Sequence, residues 1–141
     1  MARSYLKFAP AVVLAAFSIT AASGQQYQMV ATSKQLMAAV QKPAMDSLAA
    51  LMKAGGPKDE KEWAVAEQSA AVLAETAQLL LLGTRPLDQD VWIKSSHRMN
   101  AAASASAKAA HDKDLAAWKA SLGSLGASCK SCHSVHKKPK Q

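Results

Sequence analysis

The stretch LAAWKASLGSLGASCKSCH, residues 115–133, decides how this chain folds. Leu115, Trp118, Leu122 and Leu125 step by three or four residues, which is the spacing of one helix face. The stripe continues without a break into Cys129 and Cys132. At about 100° per residue, Cys132 lies about 60° to one side of Cys129 and His133 about 40° to the other. The two thiols and the imidazole therefore share one face. The stripe turns that face toward the interior, and Asp112 is the expected start of the helix.

Working back from this segment, three more helices can be read. The nearest opens near Asp88 and carries Trp92, Ser95, Met99, Ala102 and Ser106 on one face. Before it, Asp59 and Glu62 stand three apart, as in a capping box, ahead of a stripe of Trp63, Ala66, Ala70, Leu73, Ala77 and Leu80. Gly83 and Pro86 close that helix. The first helix is expected from Gln26 to Ala54, with Met37, Val40, Ala44, Leu48 and Leu51 along one face. Pro43 should kink it, because a proline lacks the backbone donor and clashes with the preceding turn. Gly55-Gly56-Pro57 ends it. No alternating strand pattern and no internal repeat is seen. Alanine-rich helices with short connections predict an all-α fold, an antiparallel four-helix bundle.

The chemistry lies in Cys129-Lys130-Ser131-Cys132-His133, the C-x-x-C-H signature of c-type haem attachment. Two thioethers at this spacing match the two vinyl groups on one porphyrin edge, and the adjacent imidazole reaches the iron. Other readings fit the motif less well. A thioredoxin-like redox pair needs a βαβ context that the pattern lacks. A zinc site would draw Cys129, Cys132, His133 and His136 from one short segment, without the second ligand pair that usually folds over the metal. A bundle that binds metal without haem, or one that merely buries two cysteines, completes the set.

A four-helix bundle with C-x-x-C-H near its C-terminus resembles the class II cytochromes c, the cytochrome c-prime family, over essentially the whole chain after its leader. The resemblance implies that Cys129 and Cys132 hold one haem c and that His133 is the proximal iron ligand. It further implies that the distal residue lies on the first helix. Low-spin members place a Met there and resemble electron carriers. High-spin members leave the site open and bind gases such as nitric oxide or carbon monoxide. Met37, in Lys34-Gln35-Leu36-Met37, resembles the low-spin stretch with the spacing one residue short, and it is the leading candidate. Met45, Met29 and an open site are the alternatives, with His97 behind them. The family often carries an aromatic residue and then Arg after the motif, where this chain has His136 and Lys137. Lys34 and Arg98 are candidates to pair with the haem propionates.

The N-terminus reads as an address. Arg3 and Lys7 precede an apolar run from Phe8 to Ile19 and then small residues, the layout of a secretory signal peptide. The run is too short to span a bilayer, which takes about 20 residues. Cleavage after Ala22 or Gly24 makes residues 1–24 the signal peptide and leaves 25–141 as one exported, periplasmic domain with no stable membrane anchor. Both cysteines would then meet an oxidising compartment, which favours a disulfide unless haem takes the thiols.

Composition sets the remaining bounds. The chain of 141 residues is 50% hydrophobic but only 5% aromatic, so a porphyrin would supply the large flat apolar body that the side chains lack. The net charge of +7 is scattered, without the dense aromatic-interleaved basic stripe of a nucleic-acid binder. Near the C-terminus Lys130, Lys137, Lys138 and Lys140 cluster, which suits either a solvated tail or docking of an acidic redox partner. Self-pairing through the first helix to a homodimer is also open. No nucleophile motif is present, and Asp88/Asp90 and Asp112/Asp114 read as helix caps, so the chain is not expected to be an enzyme.

Overall fold

A computed structural model describes residues 27–137, which form four helices and no strand. The expected leader, residues 1–24, and Lys138 and Lys140 lie outside the described residues. Helix α1 runs through Ser33–Leu36, a π-turn at Met37–Gln41, and Lys42–Lys53. Helix α2 is Glu60–Leu79. Helix α3 opens with a second π-turn, Gln89–Ile93, and continues as Lys94–His111. Helix α4 is Leu115–His136.

Each start is set by a side chain that accepts orphan backbone donors. Thr32 begins α1 with a full capping box, Thr32 and Gln35 each accepting from the other's backbone N–H. This places the start at Ser33 instead of Gln26, and Met29 falls in the non-helical lead-in. Asp59 accepts from Glu62 N at 2.8 Å, while the Glu62 carboxylate reaches back to Lys58 N at 2.7 Å. The capping pair is therefore present but displaced by one residue. Asp88 accepts from both Val91 N and Trp92 N at the head of α3.

The start of α4 differs from the sequence reading. Asp112 is the C-cap of α3, and Asp114 caps α4 by accepting from Ala117 N at 2.9 Å. Lys113 turns the chain between them with φ at +56° and pairs with Glu60. A tight two-helix corner thus consumes both acids. Leu115 consequently stands on this corner, 38% exposed, outside the core that its spacing had suggested.

Pro43 does not kink α1 in the expected way. The helix widens into a π-turn just before it, with Lys42 N donating to Met37 O five residues back. Proline has no N–H to give and its ring crowds the carbonyl four residues earlier. The wider turn absorbs that conflict and the helix continues.

The core lies where α2, α3 and α4 meet. Ala66, Ala70, Leu73, Ala77 and Leu80 from α2 are buried against Trp92, Met99, Ala102 and Ala103 from α3 and Trp118, Leu122 and Leu125 from α4. The small side chains let these three helices approach closely. Trp118 is fully buried and meets Trp63 edge-on, with ring centroids 6.2 Å apart. Asn100 Nδ2 donates to Ala74 O at 2.8 Å and Trp92 Nε1 to Leu80 O at 2.8 Å, which fixes α3 on α2. Helix α1 joins along α2 through Ala44 and Leu48. Among the described residues α1 makes no comparable pairing with α4. The bundle is closed on three sides and slack on the fourth.

A candidate haem site between α1 and α4

Cys129, Cys132 and His133 all stand on the last turns of α4. Both thiols are free and half-buried, and Cys132 packs against the core. His133 is exposed. The shared inward face expected from the stripe therefore holds for the thiols in part and not for the imidazole. The reason is angular. Ser121, Ser124 and Ser128 mark the flank of α4 that faces α3, where they line a shallow groove of about 490 Å³ with Arg98, Ala101 and Ala105. At about 100° per residue, His133 lies about 120° to 180° round from these serines. It projects from the flank turned away from α3, which in this helix order is the side of α1.

The electrostatics suit unionised donors. Burial pushes the Cys129 thiol above its ordinary pKa, and burial followed by the nearby Asp88 and Cys129 does the same to Cys132. These thiols are not activated thiolates of the kind that a redox-exchange site uses. Burial and then Lys137 lower the His133 pKa, which favours the neutral imidazole that a metal requires. Among the described residues no group of three or more His, Cys, Asp or Glu side chains gathers around a common point.

The end of the bundle that carries this motif is cross-tied. His136 stacks edge-on to Trp92 at 5.5 Å between centroids, and its Nε2 lies 2.7 Å from Asp88 Oδ2. Ser95 Oγ donates to Ser131 Oγ at 3.4 Å. Arg85 Nη1 donates to Leu79 O at 3.0 Å and Nη2 to Ala31 O at 2.9 Å. Ala31, Leu79, Leu80, Trp92 and His136 thus stand near one level. From that level the chain passes the α1 cap Thr32 and runs one helical turn, about 6 Å, to Met37, while His133 to Cys129 lie about 5 to 10 Å back along antiparallel α4. Met37 and the motif are therefore at similar depth.

The three Met candidates separate by position. Met37 is partly buried and opens the π-turn, a distortion that often accompanies functional sites. Met45, two turns deeper, is also partly buried against the core. Met29 precedes the helix and lies over Gly83, where a Cβ would come within 2.7 Å of its sulfur. Gly83 is left-handed at φ +59°, and the absent side chain makes room for Met29. One turn beyond Met37, Gln41 is 5% exposed and its Nε2 has no hydrogen-bond partner.

The other residues singled out in the sequence lie elsewhere. His97 is exposed, and exposed His111 sits 3.3 Å from Glu67 Oε1. Lys34 is exposed in the first turn of α1, and Arg98 is exposed on the groove between α3 and α4, away from the α1 seam. Lys130 and Lys137 are exposed beside the motif. Two residues of this end escaped the sequence reading, the buried Arg85 and Gln41. A charged loop residue and an amide within a helical stripe carry no periodic signal of burial.

The donor set and its surroundings fit a porphyrin in the slack seam between α1 and α4. Two half-buried thiols and an exposed imidazole stand on the last turns of α4, and a partly buried thioether, Met37, stands on α1 at a similar depth from the same end of the bundle. Among the described residues no helix is long and apolar enough to cross a membrane. The family model described as Cytochrome C' matches residues 87–137, a segment spanning α3 and α4. No curated protein and no solved structure matches the chain.

Proposed function

Since the chain is a cytochrome c-prime-type class II cytochrome with a covalently bound c-type haem, we propose that it is an exported electron carrier, with Cys129 and Cys132 as the thioether anchors, His133 as the proximal ligand and Met37 as the distal one. What supports this reading is a partly buried Met37 at the π-turn of α1, a similar number of turns from the same end of the bundle as Cys129–His133 on α4, with α1 and α4 making no extensive pairing.

The haem supplies a one-electron iron couple, and the chain sets its terms. A Met/His ligand pair raises the iron potential. With both His133 and Met37 holding the iron, the ligand set would be the same in both oxidation states and little reorganisation would accompany the electron. The half-buried thiols fix one porphyrin edge to α4, and the tie between Ser95 and Ser131 steadies that segment on α3. Leu48 and Ala44 seat α1 on α2, which holds the helix that carries Met37 in place. Lys130 and Lys137 leave positive charge exposed beside the motif, which supports steering of an acidic redox partner. The role proposed is transfer without catalysis.

A second reading has one observation in its favour. The buried Gln41 amide, one turn from Met37 and without a partner, offers a donor to a diatomic gas bound on an open distal face. The visible spectrum of the ferrous protein separates the two. Electron transfer predicts a six-coordinate low-spin spectrum that resists carbon monoxide. Met37→Leu then converts it to a high-spin form that binds carbon monoxide readily. A wild-type spectrum that is already high-spin and shifts at once with carbon monoxide overturns Met37 ligation in favour of gas binding.

A further inference from the structure

We infer that Arg85 is the counter-charge for a haem propionate. The inference rests on the haem reading above but draws on a different corner of the molecule. Arg85 sits in the loop between α2 and α3 and is only 5% exposed. Its two terminal nitrogens donate to the carbonyls of Leu79 and Ala31, its guanidinium carbon lies 5.7 Å from the Tyr27 ring centroid, and its buried Nε has no partner.

None of these contacts carries a negative charge. Among the described residues no carboxylate lies within ion-pair distance of Arg85, although six other pairs form in the same structure. Asp88, three residues on, is occupied by Val91 N, Trp92 N and the His136 ring. Carbonyl dipoles satisfy hydrogen bonds but do not neutralise a cation, and a buried guanidinium without a counter-ion is costly. A bundle that keeps such a group inside has an anion to set against it.

Topology identifies the anion. Arg85 is tied to the end of α2 and to the segment entering α1, at the end of the bundle where α4 carries the cysteines. In a porphyrin joined to protein through its vinyl edge, the two propionates lie on the opposite edge. On a haem fastened to α4 the carboxylates would lie away from that helix, and Arg85 is a buried cation at this end of the bundle that α4 does not carry. The unpartnered Nε and the fork of the guanidinium suit a carboxylate. Lys34 and Arg98, the two cations favoured on sequence grounds, are both exposed, and Arg98 faces the opposite seam.

The test uses the haem-loaded protein. The resonance Raman propionate bending band of the wild type should stand at its hydrogen-bonded position. In Arg85→Gln it should move to the solvent-exposed position and the midpoint potential should fall, because a positive charge near the iron is lost. Arg85→Lys should recover most of the potential and part of the band shift. A wild-type band already at the exposed position overturns the inference without any variant, which covers the case where Arg85→Gln fails to fold. So does Arg85→Gln that loses thermal stability with band and potential unmoved, since Arg85 would then be only a backbone tie. A wild-type protein that emerges from haem-maturing cells colourless fails the haem reading itself, which is a different outcome.

Discussion

Asp88 holds three partners with one carboxylate. It accepts from Val91 N and Trp92 N at the head of α3, and His136 Nε2 lies 2.7 Å away at the end of α4. The Val91 hydrogen bond is the main cause that holds its pKa below the ordinary value, with Trp92 and His136 adding to it against partial desolvation. The sign follows. A carboxylate with a depressed folded pKa contributes stability that is fully present above its unfolded value, near 3.8, and is lost as pH falls through the folded value. Asp88→Asn should therefore lower the thermal midpoint at neutral pH. The gap to wild type should close as the pH is taken down below that range. A gap that persists at the acid end would mean that shape, not charge, is what Asp88 provides.

At the scale of elements, the π-turn at Met37–Gln41 sets the rotational register of everything before it on α1. If Pro43 is its cause, Pro43→Ala lets the helix close into regular α bonding. Removing a helix-interior proline ordinarily gains stability, by roughly 3 kcal/mol in an unstrained helix. Here the gain should be smaller, because the π-turn already relieves the clash, and Met37 should rotate by most of one residue step. The expected result is a higher thermal midpoint together with a changed visible spectrum. A more stable protein with the wild-type spectrum would show that Met37 keeps its position without the π-turn.

The same elements show what could be read in the sequence. The stripes of α2 and α3 could: Trp63 is partly buried, and Ala66, Ala70, Leu73, Ala77 and Leu80, then Trp92, Ser95, Met99, Ala102 and Ser106, are all buried. Their 3.6-residue period is a local property, and tertiary packing obeyed it. Asp59 and Asp88 as caps were equally legible. Asp112 and Asp114 were not, since two acids two residues apart offer the same signal, and the left-handed turn at Lys113 decides which caps which helix. The π-turn was missed because proline announces a conflict but not its resolution. The angle that set His133 beside Cys129 on one face did not make it inward, since His133 is exposed. Its exposure depends on how α1 sits, which no residue of α4 encodes.

At the scale of the molecule, α1 is the weakly held member. Its buried side chains are Gln41, Ala44 and Leu48, of which only Leu48 is a large apolar group, whereas α2, α3 and α4 share a continuous core. A protein with Cys129→Ala and Cys132→Ala, unable to attach haem, should keep most of its helical signal. Amide exchange in α1 should be fast while the buried positions of α2 to α4 stay protected. An apo form with uniform protection and cooperative unfolding equal to that of the holo protein would contradict a seam shaped for a large prosthetic group.

The slack seam also bears on the order in which the protein is made. Helix α1 is synthesised first, yet its second wall exists only after α4, the last helix, has been completed. Helices α2, α3 and α4 are joined by short connections and form their contacts between neighbours in the chain, a topology that folds quickly. If α2, α3 and α4 assemble first, the Cys129–His133 segment stays reachable from the unfinished side until α1 docks. On that order the leading helix would be the closing step of assembly.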